Sequence, residues 1–201
     1  KDSFVYFLSN VAATSLNALS TIIIGIYTSP TEVAYWSLCM QIIGSITACY
    51  NPISDGIYPE MIKTKNTAII KKVLKIFMPI VLAGCIFSYF FANIGFMILG
   101  GEKYSNAVPV FRLLIPTLFF GFPAIIFGWP TLGAIGKAKE TTVTTIIAIS
   151  VYIIYIVGLI VTKSFTITNI AIGRSITEMV LFGTRYWFYR KYKSLFNENT
   201  N

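Results

Sequence analysis

The 201-residue chain contains no histidine, and only 12% of its residues are charged. Without imidazole the commonest general base, the triads built on it and His-ligated metal centres are all excluded. Charge stands at half the roughly 25% usual in soluble domains, and it is unevenly spread. The intervals Asp2 to Glu32, Glu32 to Asp55, Lys75 to Glu102, Arg112 to Lys137 and Glu140 to Lys163 each enclose at least 22 uncharged residues. A helix crossing a bilayer needs about 20 predominantly apolar residues, because each rises about 1.5 Å through a hydrocarbon layer about 30 Å thick. Runs of this kind exclude a soluble globular domain, a disordered chain and a nucleic-acid-binding module. They are also too long and too evenly apolar for barrel strands, which alternate over about ten residues. The expected fold class is all-α, a polytopic helical membrane protein with no cofactor, no metal and no nucleic-acid partner.

Cysteine is scarce as well. Cys39, Cys49 and Cys85 are widely spaced inside apolar runs and read as small hydrophobes rather than as reactive thiols. The first residue is Lys1, and an apolar stretch follows almost at once. That start reads as part of a longer polypeptide rather than as a signal peptide, whose apolar region is shorter.

What is present is a series of six expected spans, at about 4–27, 33–58, 76–99, 109–132, 142–161 and 170–189. Together they form one six-helix lobe over 1–189, followed by a basic tail over 190–201. The expected connections are TSPTE, a longer segment Pro59–Lys75, GGEKYSNAV, GAIGKAKE and TKSFTITN, most of them punctuated by glycine, proline or serine. Basic residues accumulate in cytoplasmic loops. Twelve of them, including Lys63, Lys65, Lys71, Lys72, Lys75, Lys137, Lys139, Arg185, Arg190, Lys191 and Lys193, fall on one side if the spans alternate; only Lys103 and Lys163 fall in loops on the other. Both ends of the segment are therefore expected in the cytoplasm. The net charge of +8 is first a topology signal and second a sign of contact with anionic lipid.

Polar residues recur where lipid should be. Asn10, Thr14, Asn17 and Thr21 align on one face of the first span, and Ser37, Gln41 and Ser45 on one face of the second, a line that continues through Ala48 and Pro52 to Asp55. Bulky amides and an acid on these two faces favour a water-filled cavity. The line Thr141, Thr145, Tyr152 and Tyr155 in the fifth span favours interhelical packing instead. In the fourth span Pro109, Pro116, Pro123 and Pro130 recur every seven residues, so backbone hydrogen bonds are lost repeatedly on one side. This predicts either a static kink or a functional discontinuity of the kind found in transporters.

Four ionisable residues fall within the spans away from the tail. Asp55 and Arg112 sit near opposite membrane boundaries, where snorkelling and function are alternative readings. Arg174 and Glu178 lie deeper, about 6 and 12 Å below the outer boundary by helical rise. At the centre of a lipid-facing helix each would cost about 2.5–3.5 kcal/mol, so they are expected to face protein or water. A structural ion pair and an anion site using the forked donors of Arg174 and Arg112 are the two readings.

Several loops carry a resemblance. IYTSPTEVAYWSLCMQI, GGEKYSNAVPVFRLL, GAIGKAKET and the pair Tyr58–Pro59 at a helix end are similar, in order, to segments of the O-antigen and capsular polysaccharide transporters (Wzx-like flippases). These form a family within the multidrug, oligosaccharidyl-lipid and polysaccharide exporter superfamily. The resemblance implies the C-terminal six-helix lobe of a roughly twelve-span protein whose first lobe is not in this segment. It implies a non-enzymatic exporter in the bacterial inner membrane. The cargo would be a short oligosaccharide on an undecaprenyl diphosphate lipid, moved by alternating access. On that reading Arg174 and Arg112 attract the anionic head group, while Asn10, Asn17 and Gln41 contact sugar hydroxyls. Glu178 or Asp55 would couple the cycle to protons. The alternatives are a multidrug or other lipid exporter of the same superfamily, a membrane polysaccharide polymerase or acyltransferase, and a lobe with no activity of its own.

Overall fold

The computed structural model describes residues 20–197. Among the described residues there is helix and no strand; the sole β-type contact is an isolated bridge between Asn66 and Asn197. Helix α1 is described over 20–27. It is followed by α2 (Pro30–Ala48), α3 (Asn51–Thr64), α4 (Thr67–Gly100), α5 (Val108–Ile126), α6 (Ala138–Val161) and α7 (Ile167–Lys191). Four helical stretches are long and apolar enough to cross a membrane: Pro30–Thr64, Thr67–Gly100, Glu102–Ile135 and Ala138–Val161.

Local chemistry sets the boundaries, and several differ from expectation. The first connection is reduced to a capping box: Ser29 accepts from the Glu32 amide, the Glu32 carboxylate accepts from the Ser29 amide, and Pro30 opens the helix. The second span does not end at Tyr58. It is interrupted at Cys49–Tyr50, just before Pro52, and resumes as α3 to Thr64. Pro59 lies inside α3 rather than closing it. The amide it lacks would have met the carbonyl of Asp55, an exposed residue that does not depend on that bond.

The long connection Pro59–Lys75 is thereby corrected to the two residues Lys65 and Asn66. Lys65 turns the chain in the left-handed region (φ 50°), and the Asn66 side chain caps α4 by accepting from the Ala68 amide at 2.8 Å. Asn197, beyond α7, clasps this turn. Its side-chain amide donates to the Thr64 carbonyl at 2.7 Å and its backbone amide to the Lys65 carbonyl at 2.9 Å.

α5 is the central helix, packed against α2, α4 and α7. It runs from one apolar cluster to another. The first gathers Trp36, Cys39, Phe96, Phe111, Leu114 and Ile170; the second gathers Tyr50, Met61, Ile70, Phe122, Phe127 and Tyr189. In lipid these helices are held by close packing and interhelical hydrogen bonds rather than by water exclusion. Ser175 on α7 donates to the Leu113 carbonyl and lies 3.3 Å from the Thr117 hydroxyl. Tyr50 donates to the Leu118 carbonyl at 3.3 Å. On the threonine and tyrosine line of α6, Thr141, Thr145 and Tyr152 are buried and Tyr155 is half-buried; the Tyr152 hydroxyl lies 3.0 Å from Ser20 on α1 and Thr145 accepts from Arg185 on α7, while the Thr141 hydroxyl bonds the Ala138 carbonyl of its own helix.

The proline-rich span breaks. α5 ends at Ile126, residues Phe127–Leu132 form a wider π-type turn in which Gly128 leaves helical geometry (ψ −117°), and a short 3-10 turn covers Gly133–Ile135. Pro130 removes the amide that would bond the Ile126 carbonyl. The Thr131 hydroxyl replaces it at 2.6 Å.

Candidate functional site

Between the two apolar clusters lies a hollow of about 390 Å³. α5 gives its floor through Thr117, Gly121 and Ala124, α2 one wall through Ile43, Gly44 and Thr47, and α7 the opposite wall. The α7 wall carries charge: Arg174, Glu178 and Arg185 line the hollow, with Leu181 between them. Steps of four, three and four residues keep these four side chains on one helical face. The small residues Gly44 and Gly121 leave the space open.

Within the hollow the two arginines are held differently. Arg174 Nη2 lies 3.0 Å from Glu178 Oε1 across one helical turn, and both side chains are largely buried. Among the described residues its buried Nε has no hydrogen-bond partner. Arg185 has no carboxylate within ion-pair distance among the described residues. Its three nitrogens meet neutral oxygens instead: Nη1 donates to the Ala124 carbonyl at 2.7 Å, Nη2 to Thr145 Oγ1 at 3.3 Å and Nε to Thr144 Oγ1 at 3.4 Å. The guanidinium lies against the break after α5, where a Cβ on Gly128 would meet Nη1 at 2.7 Å. Two cations and one anion leave the hollow with excess positive charge, so it suits a group with anionic and hydroxyl oxygens.

Not all the residues expected at a site meet here. Arg174 and Glu178 do. Arg112 does not line the hollow; its Nε donates to the Tyr89 carbonyl at 3.1 Å and its guanidinium stands 5.0 Å from the Tyr89 ring centre, joining α5 to α4. Gln41 and Asp55 are exposed on α2 and α3 away from the hollow, together with Ser37, Ser45 and Pro52, whereas Ala48 of the same line borders the hollow. Asn10 and Asn17 lie outside the described residues. Arg185 is the member that the sequence reading assigned to the cytoplasmic basic cluster. Its register with Arg174, Glu178 and Leu181 was the signal that would have drawn it into the site.

At the C-terminal end of α7 Tyr192 donates to Glu140 Oε1 at 3.1 Å. Partial burial, and then that carboxylate, push its phenol above the usual range. Among the described residues no group of three or more acidic, cysteine or histidine side chains is placed to hold a metal ion.

Fold and hollow together define an all-helical protein with several helices of membrane-crossing length and a charged cleft between them. Comparisons with protein-family models, curated proteins and solved structures found no match.

Proposed function

We propose that this chain is one six-span lobe of an exporter in the bacterial inner membrane, with both ends of the segment cytoplasmic. Its cargo would be an anionic lipid-linked oligosaccharide, an undecaprenyl diphosphate carrying a short sugar unit. The observation that carries this reading is the charged hollow: Arg174, Glu178 and Arg185 facing small and hydroxyl-bearing residues inside an otherwise apolar bundle. Charges at that depth are costly unless they line a pathway or a site. α7 is long enough to cross as well, and its charged face is what lowers its apolar content.

Two further features support export over a closed structural bundle. The exposed polar face of α2 and α3, with Gln41 and Asp55, suits a water-filled space shared with a second lobe, as alternating access between two bodies requires. The broken α5 gives such a body an internal joint. In this arrangement the hollow receives the diphosphate and the outer face of α2 meets the sugars. Glu178, which faces the hollow, and Asp55, on the exposed face, are the two candidate coupling carboxylates. The excess positive charge of the hollow argues against a cationic drug as cargo.

The test is export by the full-length protein in a flippase-deficient bacterial strain. Arg174→Ala at normal protein level is expected to abolish or strongly reduce surface polysaccharide. Unchanged export would remove Arg174 from the pathway.

A further inference from the structure

Arg185 joins two features that the proposed function leaves separate, the charged hollow and the break in α5. Along α7 the Arg174 and Arg185 backbones are about 16 Å apart by helical rise, so a single diphosphate addresses one of them. Arg174 already has a carboxylate at 3.0 Å. Among the described residues Arg185 is bonded to a carbonyl and two threonine hydroxyls, and a charged acceptor forms bonds about twice as strong as neutral ones. An anion in the hollow would therefore outbid those three oxygens for the guanidinium.

One of the three is special. The Ala124 carbonyl belongs to the last turn of α5, beside the point where Gly128 leaves helical geometry. The guanidinium lies so close to Gly128 that a methyl group there would displace it. The side chain thus bridges α7 to the break in α5, while Thr144 and Thr145 hold it from α6.

Resting on the reading of the hollow as an anion site, we infer that Arg185 is the ligand of the anion and also the latch on the α5 break: taking up a diphosphate draws its guanidinium off the Ala124 carbonyl and frees the segment after Ile126 to move. Trp129 sits within that segment, its ring 5.7 Å from the ring of Tyr58 on α3, and reports on the movement. The ligand chemistry is a diphosphate, whether free or on an isoprenoid lipid.

The experiment uses the full chain labelled with 5-fluorotryptophan in lipid nanodiscs. The resonances of Trp36, Trp129 and Trp187 are assigned by Trp→Phe substitution, and the sample is titrated with inorganic diphosphate in one arm and geranyl diphosphate in the other. In the unsubstituted protein the Trp129 resonance is expected to shift and to saturate with the binding curve, while that of exposed Trp187 stays put. A response to geranyl diphosphate alone assigns the ligand to lipid. Arg185→Lys keeps the charge but not the fork, so binding is expected to weaken without being lost, while the Trp129 resonance begins near its ligand-bound position and responds little. Gly128→Ala, which pushes the guanidinium from the other side, is expected to start there too and serves if Arg185→Lys fails to fold. Binding without movement of Trp129, or a full response in Arg185→Lys, overturns the latch and leaves the anion site standing. No binding of either diphosphate overturns both.

Discussion

Ser175 on α7 donates its hydroxyl to the Leu113 carbonyl on α5 at 2.6 Å, the closest polar tie between two helices that pack along much of their length. Buried hydroxyl bonds between membrane helices contribute on average about 0.6 kcal/mol and at most about 1.7. Ser175→Ala is therefore expected to lower stability within that range, read as a small fall in the thermal midpoint of the purified protein. A loss well beyond it would mean that the hydroxyl also organises the hollow through Thr117, 3.3 Å away.

The Arg174–Glu178 pair carries a larger stake. Removing one member of a buried pair strands the other, at about 3–5 kcal/mol in a dry interior. The hollow is open enough for water to soften that, so Glu178→Gln is expected to cost about 3 kcal/mol. The double variant Arg174→Gln/Glu178→Gln should be more stable than Glu178→Gln alone. A double-mutant cycle by thermal or SDS-induced unfolding measures the difference, and simple additivity would show that the pair contributes nothing.

Gly173 on α7 packs against the Tyr155 ring of α6. A Cβ there would fall 2.4 Å from Tyr155 Cδ1, so the ring must move. Gly173→Ala is expected to cost about 1–3 kcal/mol through overpacking. Trimming the ring in Gly173→Ala/Tyr155→Leu should recover part of it, with unfolding midpoints as the readout.

The three cysteines separate the readings of the α2–α3 face. Cys39 and Cys85 are buried and Cys49 is exposed. A membrane-impermeant, water-soluble maleimide should label Cys49 in the folded protein if that face borders water, and leave the other two untouched until unfolding. Absence of labelling at Cys49, with labelling restored in detergent-unfolded protein, would put that face against lipid.

Much of the fold was legible because lipid imposes one long-range rule. Charge-free intervals must be helical, and the apolar stretches from Val33, Pro109 and Thr142 begin within a few residues of α2, α5 and α6. What escaped was decided by single residues. Lys65 in a left-handed turn and Asn66 as a cap compress a connection whose lysines suggested a loop. Pro59 was read as a stop but is tolerated within α3. The proline period announces the disturbance in α5, but the break falls at Gly128 and is bridged by Arg185, which bonds the Ala124 carbonyl 61 positions before it. No local pattern encodes such a contact. Arg185 was counted with the inner charges because it lies near the end of its helix, and only its register links it to Arg174 and Glu178.

One last feature concerns leverage. α4 has 34 residues, or about 51 Å of rigid rod by helical rise, against a hydrocarbon layer of about 30 Å. A helix of this length standing upright in such a layer would extend three or four turns past the acyl chains, and Lys71, Lys72 and Lys75 mark its polar end. Tipping such a rod by about 10° about its far end would carry its near tip roughly 9 Å sideways, taking the rise per residue as fixed. Because Asn197 is bonded to the turn at that tip, any rocking of α4 would be felt at once by the chain beyond α7.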